Sequence, residues 1–230
     1  MNQDFIVGVI QARLGSTRLP NKMLLCLHGR PIIEWVVRRT SASRLLDSMI
    51  VAIPDTPQND ILEAELKRLR VECFRGPEQD VLRRFVLAAE GKRATHVVRI
   101  CADNPLICGD EIDNLILFYR DNPCDYAFNQ SPIGNSYPDG LGAEIVSFEL
   151  LKQLDRLATL PRHREHCLSY IADHPGDFVM KTFDPPEPRV ANPGIKLDID
   201  TFEDYRKLAL KAFNLEATAL ELVDIFGGQK

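Results

Sequence analysis

The segment Gln11-Ala-Arg-Leu-Gly-Ser-Thr-Arg-Leu-Pro-Asn-Lys22 places Gly15, the hydroxyls of Ser16 and Thr17, and the cations Arg13, Arg18 and Lys22 directly after an apolar run. Backbone N–H groups of such a loop can cradle phosphate oxygens, and the cations offset polyphosphate charge. A solvated basic turn would carry the same residues. The run is not a Walker A loop, which needs a second glycine followed by Lys-Ser/Thr. Here Pro20 and Asn21 precede Lys22, and Met23 follows it.

Carboxylates form the second candidate chemistry. Asp103, in Arg99-Ile-Cys-Ala-Asp-Asn-Pro105, follows a run that reads as a strand. A hard oxygen ligand there suits Mg²⁺ held jointly by protein and phosphates. An aspartate capping the turn before Pro105 is the plainer alternative. In Lys196-Leu-Asp-Ile-Asp-Thr201, Asp198 and Asp200 are separated by one residue. On a strand both point to one face, and such a pair repels unless a cation lies between. Asp200 capping the next helix with Thr201 is the competing reading.

Three other segments carry polar groups near strand ends. In Phe74-Arg-Gly-Pro-Glu-Gln-Asp-Val-Leu82, Arg75 can approach a nucleoside and Asp80 can bond a hydroxyl. Glu78 and Asp80 also suit a helix N-terminus. In Tyr137-Pro-Asp-Gly-Leu-Gly-Ala-Glu144, the glycines permit a tight loop over a ligand. Asp139 or Glu144 would then meet hydroxyls; an ordinary turn into a strand explains the same residues. Arg162-His-Arg-Glu-His166 lacks the H-E-x-x-H spacing of zinc hydrolases. Its two arginines and two histidines make a local positive patch, and the fork of Arg164 matches a carboxylate or phosphate. Surface ion pairs worth little are the alternative for Arg164 and Glu165.

These groups need a scaffold. Phe5–Ile10 and Met49–Ile53 read as strands buried on both faces, and Val71–Phe74 and Thr95–Cys101 as further strands. Helices are predicted over 31–43, with Pro31 at the first position, and over 58–69, 79–91 and 110–121. This alternation implies right-handed βαβ crossovers and a mostly parallel sheet, with ligands beyond the carboxyl ends of its strands. Past residue 122 the pattern is less regular. Strands are predicted at Asp125–Asn129, Ala143–Phe148 and Ile195–Ile199, with an antiparallel strand at Phe178–Phe183. Helices are expected over 148–157 and 163–173. Thr201 with Asp204 marks a capping-box start for one more.

With these motifs in place, the chain resembles the cytidylyltransferases that make CMP-sugars, the CMP-acylneuraminate and CMP-KDO synthetases. It is most similar to their relatives in spore-coat and surface polysaccharide synthesis. The resemblance covers nearly the whole chain. It implies an α/β, single-domain Rossmann-like nucleotidyltransferase fold related to GT-A glycosyltransferases, with a mixed, mostly parallel sheet spanning 1–230. A nucleotide-binding half would occupy 1–122, and an acceptor-binding and dimer-contact part 123–194. A metal-binding strand with C-terminal helices would fill 195–230.

The resemblance also implies roles. Arg13, Lys22 and Asp103 would be catalytic. Gln11, Ala12, Arg13, Gly15, Ser16, Arg18, Lys22, Arg75 and Asp80 would bind CTP. Asp139, Glu144, Arg164 and His166 would bind an anionic acceptor, and Asp103, Asp198 and Asp200 would hold Mg²⁺. A homodimer is implied. The chain departs from the CMP-KDO synthetases where they carry Gln-Gly-Asp-Glu-Pro and it has Cys101-Ala-Asp-Asn-Pro105. The acceptor therefore need not be KDO. Rival readings are a nucleotidyltransferase using another NTP, a GT-A glycosyltransferase, which releases no pyrophosphate, and a nucleotide-binding module without catalysis. Intact Arg13, Lys22, Asp103 and Asp200 speak against the last.

Composition narrows the partners. The chain has 230 residues, 28 basic and 33 acidic side chains and a net charge of −5, which disfavours a general nucleic-acid binder. Six cysteines, none in a C-x-x-C pair, read as reduced thiols of a cytoplasmic protein. No apolar stretch reaches the length of a transmembrane helix.

Overall fold

The structure is a computed structural model and describes residues 4–228; the ends of the expected domain, 1–3 and 229–230, lie outside the described residues. β1 (Ile6–Gln11) buries Ile6 and Ile10 on one side and Val7 and Val9 on the other. A two-residue ribbon, β2 (Cys26–Leu27) with β3 (Arg30–Pro31), then feeds α1 (Ile32–Thr40). Pro31 thus caps α1 from outside instead of opening it. β4 (Ser48–Pro54), α2 (Asp60–Arg68), β5 (Cys73–Gly76), α3 (Val81–Gly91), β6 (His96–Cys101) and α4 (Gly109–Asp121) alternate as predicted.

β4 and β6 flank β1 in parallel register, so Gln11 lies level with both Ala52 and Cys101. β5 adds to the outer side of β4. Helices α1, α2 and α4 pack on the Ile6–Ile10 side, and α3 on the Val7–Val9 side. The chain steps outward from β1 to β5 across one face and returns to β6 across the other, so all three crossovers share one hand. This reversal leaves a crevice beyond the carboxyl ends of β1 and β6, where α/β sheets bind ligands.

The second half completes the sheet with β7 (Tyr126–Phe128), β8 (Glu144–Ser147) and, after α5 (Phe148–Leu157), α6 (Pro161–Glu165) and α7 (Ser169–Asp173), β9 (Met180–Thr182). The strand order is β5-β4-β1-β6-β8-β7-β9, and only β8 runs against the rest. β9 was expected to be antiparallel, but it pairs parallel with β7. The out-and-back path of α5 and α6–α7 returns the chain to the end where it left β8. The helix expected over 163–173 is broken at His166, where the chain turns inward to bury Cys167 and Leu168. Ile195–Ile199 forms no strand beyond a single bridge between Asp139 and Lys196, although Ile195, Leu197 and Ile199 alternate into the core. Thr201 opens α8 (Phe202–Ala209) with the capping box foreseen, and α9 (Ala219–Phe226) follows.

Candidate active site

The loop after β1 is held down before it presents anything. The buried Leu14 donates its amide N–H to Asn59 Oδ1 at 3.1 Å, and its carbonyl accepts from the amides of Ser16 and Asn21. Asn21 adopts φ 57°, a left-handed conformation that asparagine tolerates, and turns Lys22 inward. Lys22 does not sit on a solvated turn: it is buried. Its Nζ donates to Ile199 O at 2.7 Å and lies 3.4 Å from Asp103 Oδ2 and 3.5 Å from Asp200 Oδ1. One ammonium thus joins the loop after β1, the turn after β6 and the segment before α8. A further link runs from the Ile199 amide to Asp103 O at 2.7 Å.

A cavity of about 210 Å³ opens at this junction, lined among others by Gln11, Ala12, Arg13, Ser16, Arg18 and Lys22. Across from them stand Arg99, Cys101, Asp103, Glu165, His166 and Asp200. Each cation of the loop already faces a carboxylate. Arg13 pairs with Glu165 at 3.2 Å and Arg18 with Asp200 at 2.8 Å. Those carboxylates occupy the cations as phosphate oxygens would. Gly15 does not line the cavity and has no left-handed φ; a Cβ there would find ordinary contact with Gln58.

Among the described residues, no three His, Cys, Asp or Glu side chains converge as a metal cage. Asp103 and Asp200 nevertheless face one cavity and share one ammonium at long range. Two carboxylates that leave room for ligand oxygens suit magnesium, which seldom takes an all-protein cage. Asp198 does not line the cavity, although the charges of Asp103 and Asp200 reach it. One oxygen meets Lys196 at 3.2 Å, while Oδ1 is buried without a partner among the described residues. Burial pushes its carboxyl above the usual range, against the pull of Lys196. Asp139 stands nearby, pushed up to about 6 by burial and by the charge of Asp198. Its backbone pairs with Ile195 and Leu197, so it braces the segment that leads to Asp200 and lies outside the cavity lining. Gly140 permits this brace: it has φ 93°, and a Cβ would fall 3.0 Å from the Asp198 amide.

The remaining expected residues are placed elsewhere. Arg75 sits at the sheet edge, bonded to Asp55, Asp60, Glu63 and Thr56 O. Asp80 caps α3 through the Arg83 amide and receives Arg164 at 2.9 and 2.5 Å. Arg164 also donates to Asp155 Oδ1 and to the carbonyls of Asp155 and Ala158. All five of its N–H donors are therefore used inside the protein. The nucleotide role expected for Asp80 and the acceptor role expected for Arg164 meet a structure that bonds the two to each other. Glu144 is buried, bonded by Arg99 and by the Tyr126 hydroxyl at 2.5 Å. Of the four acceptor candidates only His166 lines the cavity.

Sequence reasoning passed over Arg99, Cys101 and Glu165 as wall residues. Arg99 had a signal: a lone cation inside the apolar run His96–Cys101 must either pair or serve a ligand. Arg84 was also passed over. It is fully buried beside Arg13, bonded to Pro77 O and Glu78 O, and burial with the nearby Arg13 charge lowers its pKa to about 10.

Residues 7–223 match the family model described as cytidylyltransferase. The chain belongs to the cytidylyltransferase family. It is accordingly a CTP-dependent nucleotidyltransferase. It is 34% identical over 208 residues to the spore coat polysaccharide biosynthesis protein SpsF of Bacillus subtilis, covering 88% of this chain and 84% of SpsF. A 3-deoxy-manno-octulosonate cytidylyltransferase of Bdellovibrio bacteriovorus is 39% identical over 119 residues, covering 51% of this chain and 47% of that enzyme. Among solved structures, a cytidylyltransferase from Leptospira borgpetersenii superposes with a TM-score of 0.87 at 28% identity, covering 96% of this chain and 93% of that one.

Proposed function

We propose that this cytidylyltransferase transfers CMP from CTP to an anionic sugar or sugar-like acceptor, with release of pyrophosphate, in the synthesis of a surface polysaccharide or glycan. The observation that carries the reading is Lys22, set between Asp103 and Asp200 in a cavity that also receives Arg13 and Arg18. Three cations and two carboxylates fit a triphosphate with its metal. The match to SpsF supports the polysaccharide setting, and the partial match to a sugar-acid enzyme supports the acidic acceptor.

In this reading the acceptor hydroxyl attacks the α-phosphorus in line while the bond to pyrophosphate breaks, and the hydroxyl proton leaves to solvent. Arg13, Arg18 and Lys22 exchange their carboxylate partners for phosphate oxygens and stabilise the charge that builds on the leaving group. Magnesium, held by Asp103, Asp200 and the phosphates, would neutralise phosphate charge and align the chain of the triphosphate. Asp198, tied to Lys196, supports this pair from behind. Positioning and electrostatics supply the rate, and no covalent intermediate is needed. A cytoplasmic homodimer belongs to the same reading, and light scattering at twice the 26.0 kDa chain mass tests its second half.

The deciding experiment is a pyrophosphate-release screen of CTP, ATP, GTP and UTP against sugar acids, phosphorylated sugars and neutral sugars. Release with CTP and an anionic acceptor is the expected result. Equal release with all four nucleotides, or none with any acceptor, would overturn the reading.

A further inference from the structure

Four cations line the cavity, and the triphosphate accounts for three of them. The fourth is Arg99, which arises from the sheet itself, two residues before Cys101 at the end of β6. Its side chain is 15% exposed, so its charge is mostly withdrawn from water. One guanidinium nitrogen, Nη1, is bonded to Glu144. Nη2 has a long 3.4 Å contact with Gln11 Oε1, and Nε has no partner among the described residues. Nε is closed off from solvent as the side chain stands, so the Nε–Nη2 edge is an underused side of a guanidinium in the cavity wall that an oxyanion reaches by displacing Gln11. Glu144 in turn accepts from the Tyr126 hydroxyl across β7 and β8, so Nη1 is fixed and the fork is aimed.

A buried arginine with open donors is costly to keep. The same edge is the one that receives two oxygens of a carboxylate or phosphate side by side. We infer that Arg99 binds the oxyanion of the acceptor through its Nε–Nη2 edge, with Glu144 and Tyr126 as positioning residues. The inference rests on the cytidylyl-transfer reading and gives the acceptor's charge a place. It also gives Glu144 a role other than meeting sugar hydroxyls. Gln11, lying on the same edge, is the group the oxyanion displaces.

The test uses matched acceptors in the pyrophosphate assay: a sugar acid, its neutral methyl ester, and a sugar phosphate. Wild-type protein is expected to use an anionic member and to leave the ester unused. Arg99→Met should raise the KM for the anionic acceptor about 10- to 100-fold and leave the KM for CTP within about twofold. Arg99→Lys separates the two oxyanions. A point charge should restore much of the affinity for a phosphate and little for a carboxylate held by two parallel bonds. Glu144→Gln should raise the acceptor KM less than Arg99→Met does, again sparing CTP.

Because Arg99→Met strands a buried carboxylate, the charge-balanced double variant R99M/E144M is measured beside it, with circular dichroism as the fold control. A folded variant whose acceptor KM is unchanged, or whose CTP KM rises instead, overturns the inference while leaving cytidylyl transfer standing. Equal use of ester and acid also overturns it. Absence of pyrophosphate release with every acceptor removes the transfer reading itself, and this inference with it.

Discussion

Lys22 is one side chain with two tasks. Its 2.7 Å bond to Ile199 O closes the protein, and its long contacts to Asp103 and Asp200 place a positive charge in the cavity. Lys22→Ala should therefore fail in both respects. Turnover should fall roughly 30- to 1,000-fold, the usual consequence of losing one charge-assisted transition-state contact of about 2–4 kcal/mol. The melting midpoint should fall as well, because two carboxylates lose their shared cation. Steady-state kinetics alongside calorimetry check this, and normal values of both would reduce Lys22 to a basic turn residue. The cation itself was legible from the loop's composition. Its burial was not, since its carbonyl partner lies 177 residues away in sequence. Arg164 teaches the same lesson with the opposite result. Its positive patch suggested an anion site, yet Asp80, 84 residues distant, and Asp155 consume its donors. Arg164→Ala should lower stability by about 2–3 kcal/mol and leave acceptor KM unchanged in the folded protein. A raised acceptor KM with normal stability would return Arg164 to the binding site.

At the scale of elements, α1 and α2 are tied together by a carboxylate that no functional motif marks. Glu34 is 3% exposed and accepts from Arg30 at 2.7 Å, Arg38 at 2.8 Å and Arg68 of α2 at 2.8 Å. Burial pushes its carboxyl up, but the bonds from Arg68, Arg30 and Arg38 outweigh burial and leave it below its ordinary value. A lowered carboxyl stabilises the folded state at pH above its unfolded pKa, and that stability is lost as pH falls through the folded value. Glu34→Gln should therefore cost about 1–2 kcal/mol at neutral pH, where the half-exposed arginines can rehydrate, and the gap to wild type should close in acid. Urea unfolding from pH 7 down to 3 measures it; a gap that stays constant would assign the loss to packing alone. Strands β1, β4 and β6 were readable because each carries a largely buried apolar run, whereas the part-buried β5 was legible only from its place between two helices. The elements past residue 122 were not, because their placement depends on long-range pairing. Strand β9 takes its direction from the return path of α5–α7, and residues 195–199 alternate like a strand while resting against the 137–142 loop. There Gly142 lets the loop touch Asn129, where a Cβ would lie 2.2 Å from its Oδ1.

Over the whole molecule the site is a closed set of ion pairs before any ligand arrives. Arg13 answers Glu165, Arg18 answers Asp200, and Lys22 answers Asp103 and Asp200. On the proposed reading CTP alone would bring its phosphates up against Asp103 and Asp200. Magnesium alone must approach carboxylates that already have an ammonium between them. On the proposed reading the two would exchange partners on arriving together, the cations meeting phosphates and Asp103 and Asp200 holding the metal. Each ligand removes the repulsion that the other meets, so the binding energies are coupled. Ligands that bind only the folded state raise its stability by mass action, and the melting temperature reports the coupling directly. CTP with Mg²⁺ should raise the midpoint by more than the separate shifts of CTP in EDTA and Mg²⁺ alone combined, and by more than ATP, GTP or UTP with Mg²⁺. Asp200→Asn should invert part of this pattern. With Arg18 and Lys22 released from the carboxylate, metal-free CTP should stabilise the variant more than wild type, while the added effect of Mg²⁺ shrinks. If wild type responds equally to CTP with and without Mg²⁺, and Asp200→Asn leaves both responses unchanged, the aspartates are structural partners of the loop and the metal is held elsewhere.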